Sequence, residues 1–302
     1  MDQLIAMRAF SRVVEVGTFT RAAQLLGMPK PTLSKLIQGL EAHLRTKLLN
    51  RTTRRVTVTA DGAAYYERVV RILADVDELD GSMTLSQASP KGRLRIDIST
   101  SLALLIMIPA LPQFHARYPD IQIDLGVTDR PVDLVGENVD CVVRAGEITD
   151  QSLIARRIAD FQFVACASPA YLAQHGEPRH PAELERGHTV VGYFNTSSAQ
   201  PFPLEFTRGE ERQDISGRYI VAVNDGNAYV AAGLAGLGVM MAPRFMVEQH
   251  LSSGALRPVL PEWSTAPVPL YVVYPPNRHL STKLRIFVDW VAELFAAHLR
   301  RG

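Results

Sequence analysis

The sequence is short of the residues on which several function classes depend. Only two of its 302 residues are cysteine. Cys141 in Asp140-Cys141-Val142-Val143 and Cys166 in Val164-Ala165-Cys166-Ala167 lie in short apolar runs that read as strands, so buried free thiols are expected rather than a redox pair. No run reaches the roughly 20 apolar residues needed to cross a bilayer. Met1-Asp2-Gln3-Leu4 lacks the basic-then-apolar layout of a signal peptide, and the expected compartment is the cytoplasm, with no membrane partner. The histidines are scattered, without helical metal-ligand spacing or a cysteine in zinc-site register, and no metal is expected. Gly236-Leu237-Gly238 lacks the third glycine of a dinucleotide fingerprint. With no Gly-x-Ser-x-Gly elbow and no phosphate loop, neither an enzyme nor a cofactor is expected.

What is present is a globular composition, 47% hydrophobic and 21% charged, in a length that suits two domains or slightly more. The net charge of +1 is unevenly spread. Residues 1–58 hold ten basic side chains against three acidic ones, or +7; subtraction from 32 and 31 leaves 22 against 28, or −6, for the rest. A basic head on an acidic body points to a polyanion, although a solvated basic face has the same count.

Leu4, Met7, Phe10, Val13 and Val14 recur at helical spacing up to Gly17. Thr18-Phe19-Thr20 offers hydroxyl caps for a second helix carrying Ala22, Ala23, Leu25 and Leu26, ended by Gly27. Pro31 suits the first position of a third helix with Leu33, Leu36, Ile37, Leu40 and Leu44 on one face. This is a helix-turn-helix pattern. The third helix presents Lys30, Thr32, Ser34, Lys35 and Gln38 off its apolar stripe, a polar and basic face suited to a major groove. Residues 48–59 read as a small hairpin whose Thr52-Thr53-Arg54-Arg55 tip lies along the phosphate backbone or a minor groove, which makes the head winged. A helix from Thr59 to about Ser86 then carries Tyr65, Val69, Ile72, Leu73, Val76, Leu79 and Met83. Such a stripe pairs with a second copy or packs on the chain's own head.

The order Phe10, Gly17-Thr18-Phe19-Thr20-Arg21-Ala22-Ala23, Leu25-Leu26-Gly27, Pro31-Thr32-Leu33-Ser34-Lys35-Leu36-Ile37, Leu40-Glu41, Leu48, Arg51, Thr57-Thr59 and Gly62 resembles the LysR-type transcriptional regulators. Pro29 and Lys30 stand where that family often has serine and glutamine, so target preference does not carry over. The resemblance implies DNA contacts at Thr20, Arg21, Lys30, Pro31, Thr32, Ser34, Lys35, Gln38, Arg51, Thr53, Arg54 and Arg55. It also implies paired linker helices in a dimer or tetramer.

Ser89-Pro90-Lys91-Gly92 breaks the long helix. Beyond it strands are expected at Leu94–Ile98, Ile121–Val127, Val139–Val143 and Phe161–Cys166. Ser99-Thr100-Ser101 would cap an apolar helix between the first two. This alternation predicts an α/β body with a mainly parallel sheet. The expected organisation is 1–58 winged head, 59–88 linker helix and 89–302 regulatory body, with lobe I about 92–165 and 267–302 and lobe II about 166–266. The resemblance implies a periplasmic-binding-protein-like fold for this body, α/β overall.

Ligands of such folds bind at strand ends, where helix N-termini offer N–H groups. Ser99, Thr100, Ser101, Thr128 and Arg144 stand there in lobe I, and Phe194, Asn195, Asn224 and Asp225 in lobe II. Hydroxyls, a helix terminus and a guanidinium suit a small organic anion such as a carboxylate. Ordinary capping, or an ion pair for Arg144, accounts for each residue taken alone. The reading is a DNA-binding regulator controlled by a small effector; the alternatives are a ligand-independent architectural DNA-binding protein and a solute-binding protein.

Overall fold

The first helix starts where the sequence supplies a cap. Asp2 accepts the Ile5 N–H at 3.1 Å, α1 spans Gln3–Val16, and Gly17 ends it at φ 73°, a left-handed value that disfavours any side chain. The protein is described here by a computed structural model covering residues 2–51, 56–83, 90–134, 136–137, 139–146, 148, 150, 152–194, 200–276 and 281–299. It divides into two units, residues 1–88 and 89–302, each taken by itself below.

In the first unit Thr18 caps α2 (Phe19–Leu25) by accepting the Arg21 N–H at 3.4 Å. Helix α3 (Lys30–Leu44) begins one residue earlier than expected, so Pro31 is its second residue and Pro29 is an N-cap with no side-chain bond to offer. Phe10, Val13, Ala22, Leu33, Ile37 and Leu40 close the core between the three helices. The strands β1 (Leu49–Arg51) and β2 (Val56–Val58) pair antiparallel, Leu49 opposite Val58, and the Thr52–Arg55 tip lies outside the described residues.

Helix α4 (Ala60–Met83) departs from β2, and its stripe is shared out. Val69 and Leu73 are buried against Met7 of α1, and Tyr65 stacks obliquely on Phe10 with ring centroids 5.7 Å apart. The first half of the stripe therefore packs on the chain's own head. Ile72 remains exposed, and the side chains of Leu79 and Met83 lie outside the described set.

The second unit opens with β3 (Gly92–Ile98), followed by one helical run made of α5 (Thr100–Leu102), a π-helical turn (Ala103–Met107) and α6 (Ile108–Arg117). Then come β4 (Ile121–Val127), β5 (Cys141–Ala145) and β6 (Ile154–Phe161). The chain continues through β7 (Phe163–Ala167), α7 (Pro169–His175), α8 (Glu183–Arg186), β8 (Val190–Tyr193), β9 (Leu204–Arg208), β10 (Glu211–Ile215) and β11 (Tyr219–Val223). It ends with α9 (Gly226–Leu234), β12 (Met240–Pro243), α10 (Arg244–Ser252), β13 (Arg257–Pro258), β14 (Val268–Tyr274) and α11 (Thr282–Leu299).

The largest sheet has the order β4-β3-β5-β14-β6. A helical crossover makes β3 parallel to β4, and β5 lies parallel to β3 on its other side, but the returning β14 enters antiparallel between β5 and β6. The sheet is therefore mixed, a correction to the mainly parallel expectation. Two strand estimates shift as well: the expected 139–143 starts at Cys141, and the expected 161–166 is β7, preceded by β6, which the sequence reading passed over. Strand β7 pairs with β12 and β13, both antiparallel, so it belongs with the middle of the chain. Alongside lie the parallel pair β8 and β11 and the hairpin β9–β10.

Burial follows the same grouping. Ile96, Ile98, Phe114, Val143, Leu270, Phe287 and Phe295 close one core between the large sheet and its helices. Tyr171, Leu184, Phe206 and Trp263 close a second, and Val191, Tyr229, Met240 and Val247 a third. At about 1.5–3 kcal/mol for each large apolar side chain removed from water, these cores fix the strand ends on which the candidate site stands.

Candidate nucleic-acid interface and effector cleft

The head brings its expected contact residues to one helix-turn-helix surface. Thr20 and Arg21 lie in the first turn of α2 and are exposed; Lys30, Pro31, Thr32, Lys35 and Gln38 are exposed along α3, with Ser34 half-buried among them. Helical spacing puts Lys35 and Gln38 on the face opposite Leu33, Ile37 and Leu40, which the core holds. Thr53, Arg54 and Arg55 fall outside the described residues, as does the side chain of Arg51.

A carboxylate sets the wing against the recognition helix. Glu41 Oε1 accepts the Leu48 N–H at 2.9 Å and the Leu49 N–H at 3.1 Å, so one carboxylate oxygen on α3 takes both N–H groups at the entry to β1. Thr59 Oγ1 donates to the Lys47 carbonyl at 2.7 Å and accepts the Gly62 N–H at 2.9 Å, which caps α4 on the far side of the same segment. A Cβ at Gly62 would stand 2.0 Å from the Leu48 carbonyl oxygen, and only glycine permits this approach.

In the second unit the expected effector residues among those described stand at the C-terminal ends of β3, β4, β5, β8 and β11. Ser99 occupies the N-cap position of α5, but its hydroxyl makes no capping bond there. The expected hydroxyl cap is thus corrected, because the acceptor comes from a distant residue: Asp129 Oδ1 accepts the Thr100 N–H at 2.9 Å. The other oxygen, Oδ2, accepts the Gly226 N–H at 3.0 Å, at the start of α9. Asp225 is the local cap of that helix and accepts the Ala228 N–H at 2.8 Å. Ser101 is buried, and a Cβ on Gly226 would come within 3.4 Å of its hydroxyl. The Thr128 hydroxyl accepts the Arg130 N–H at 3.2 Å, and the Phe194 N–H donates to the Val223 carbonyl at 3.0 Å. Asn224 is exposed beside them, and Asn195 lies outside the described residues.

Arg144, the guanidinium expected for an effector, is already engaged by Asp97 on the neighbouring strand. Burial holds the Arg144 guanidinium below its usual range and raises the Asp97 carboxyl, although each partner's charge works the other way. Gly126 on β4 makes room for this carboxylate, since a Cβ there would lie 2.6 Å from Asp97 Oδ2. Burial, helped by the charges of Asp129 and Asp225, pushes the Tyr193 hydroxyl up to about 12. Asp97, Asp129 and Tyr193 were missed in the sequence. The only local signals are an acid between Ile96 and Ile98 and a second polar residue after Thr128.

Known proteins share both units. Residues 4–63 match the bacterial regulatory helix-turn-helix protein, lysR family, and residues 87–296 match the LysR substrate binding domain. The chain belongs to the LysR family of transcriptional regulators. An HTH-type transcriptional repressor of Pseudomonas aeruginosa is 40% identical to this LysR-family protein, over 98% of this chain and 93% of its own. Among solved structures, CrgA of Neisseria meningitidis is 32% identical with a TM-score of 0.61, over 95% and 97% of the two chains. The full-length Vibrio cholerae virulence activator AphB is 30% identical with a TM-score of 0.60, over 97% and 99%. This LysR-family protein is therefore a DNA-binding regulator of transcription with an effector-binding body, in a family of regulators rather than enzymes. Among the described residues no helix is long and apolar enough to cross a membrane, and no group of three or more His, Cys, Asp or Glu is placed to hold a metal.

Proposed function

We propose that this LysR-family regulator responds to a small organic carboxylate bound between the starts of α5 and α9. The supporting observation is that one carboxylate, that of Asp129, already draws an N–H from each of these helices. Two helix starts that share a carboxylate have the geometry and the dipole ends for an effector of the same chemistry. Ser99, Thr100, Ser101, Thr128, Phe194, Asn224 and Asp225 line or border that position, with Arg144 behind it, and the proposal extends to Asn195 from its place in the sequence after β8. Melting the protein against a panel of mono- and dicarboxylates tests the class: a selective effector raises Tm, and a panel without a hit rejects it. Ser99→Ala with Thr128→Ala abolishes that response and leaves DNA binding intact.

On the DNA side, Thr20, Arg21 and residues 30–38 of α3 read and position the major groove, while Arg51, Thr53, Arg54 and Arg55 hold phosphates. Lys35→Ala and Arg54→Ala each weaken operator binding, and Arg54→Ala lowers the salt slope by about 1. If both affinity and slope stayed as in the parent, this assignment would fail.

The regulator acts in the cytoplasm as a homodimer or tetramer. In support, Leu104, Leu105 and Ile108 on the helical run after β3, and Tyr219 and Ile220 on β11, leave large apolar side chains exposed on the second unit. Light scattering on the purified chain measures the assembly, and a monomer at micromolar concentration would reject it.

A further inference from the structure

We infer that Asp129 determines specificity in the effector cleft as a tethered ligand. Its carboxylate holds the position that an effector carboxylate takes, so binding is an exchange of one carboxylate for another. This rests on the effector reading above.

The geometry is that of a ligand rather than of a helix cap. A cap residue lies next to its helix in sequence, as Asp225 does for α9. Asp129 lies in neither helix, 29 residues from Thr100 and 97 from Gly226, in the bend after β4. Each oxygen takes one N–H, so a single planar carboxylate joins a helix start in the first core to a helix start in the third. Gly226 contributes to this approach. A Cβ there would press on Met246 Cε at 3.1 Å and on Ser101 Oγ at 3.4 Å, whereas the bare backbone leaves its N–H open to Asp129.

Charge explains why exchange, and not addition, is the mode. The acids around the position are Asp97, Asp129 and Asp225, with Glu137 on Arg130. The cations are Arg144, held by Asp97, and Arg130, held by Glu137 in a two-pronged pair at 2.8 and 2.6 Å. Among the described residues, four carboxylates are therefore set against two guanidinium groups, both engaged. A further carboxylate placed beside Asp129 would meet a like charge at N–H groups that each have one hydrogen to give. Once displaced, Asp129 has Arg144 nearby, since its charge already acts on that guanidinium.

A tethered group competes at its effective concentration, of order millimolar for short links. The intact protein thus answers only to carboxylates that make further contacts in the cleft. A protein without the Asp129 carboxylate answers to the bare group.

The test uses the full chain and acetate. Wild type, Asp129→Ala and Asp129→Asn are melted in sodium chloride and in sodium acetate at equal ionic strength, with circular dichroism to verify folding. Expected is a Tm about 5 °C lower for Asp129→Ala, recovered in part by acetate but not by chloride. Wild type gives the same Tm in both salts. Asp129→Asn falls between, because its amide oxygen serves one N–H and its NH2 group opposes the other. Equal melting of all three proteins overturns the tethered ligand. An acetate shift in wild type as large as in Asp129→Ala overturns exchange. A low Tm in Asp129→Ala that acetate leaves unchanged rejects the carboxylate reading of the cleft itself and keeps Asp129 as a structural bridge. Should alanine prevent folding, Asp129→Asn decides alone: acetate must raise its Tm more than that of wild type, and equal responses overturn the inference.

Discussion

Arg144 and Asp97 pair across adjacent parallel strands at the C-terminal ends of β5 and β3, with 17% and 9% of their side chains exposed. The pair gives the largely buried Arg144 its counter-charge. Asp97→Asn would leave the guanidinium buried with a neutral acceptor. Because burial outweighs the attraction of Arg144 at this carboxyl, a neutral partner is tolerated, and the expected change in urea unfolding at pH 7 is within about 1 kcal/mol.

The same carboxyl predicts a pH dependence. Burial, opposed by Arg144, raises Asp97 above the ordinary aspartate range. The folded protein therefore holds this proton at a pH where the unfolded chain has lost it. From about pH 4 upward the stability carried by this group falls as pH rises, and the loss is complete above the raised value. Urea midpoints between pH 4 and 6, compared for wild type and Asp97→Asn, isolate this contribution as a slope present in the parent and absent in the variant.

In the head, Gly62→Ala is expected to cost about 3 kcal/mol, since the new methyl cannot share space with the Leu48 carbonyl. Thermal melting of the variant and its operator affinity should fall together, because the same contact seats β1 beside α4. A variant with parental Tm would show that the wing absorbs the methyl.

Glu41→Gln tests how the wing is aimed. The glutamine oxygen keeps the acceptor for Leu48 and Leu49 N–H groups but loses the charge that strengthens both bonds. Stability should drop by about 1 kcal/mol, with a larger proportional loss in operator affinity than in Tm. Equal affinities for parent and variant would mean that the wing direction does not depend on Glu41.

The two thiols should be silent. Cys141 and Cys166 are buried, and burial raises both, Cys166 to about 12. Native protein at pH 8 should react with a thiol reagent only as fast as it opens, and peroxide should leave operator binding unchanged. Rapid labelling of either cysteine in folded protein would contradict this.

Local rules were enough for the head. The stripe Leu33, Ile37 and Leu40, the stops at Gly17 and Gly27 and the alternation around Val56 and Val58 are set by neighbours within a few residues. The order of the helices and the exposed face of α3 therefore followed from the chain alone, as did the bounds of β4, while the start of α3 shifted by one residue. Pairing and counter-charge did not. The antiparallel β14 enters a sheet more than a hundred residues after β6, and Asp129 finds its donors 29 and 97 residues away. Arg144 was visible as a cation, but Asp97 became its partner only when β3 and β5 were laid side by side. Hydrophobic period and turn chemistry act over one or two turns of chain and are written in the sequence. Which carboxylate fills which N–H depends on the closure of long loops, and that is decided only when the cores form.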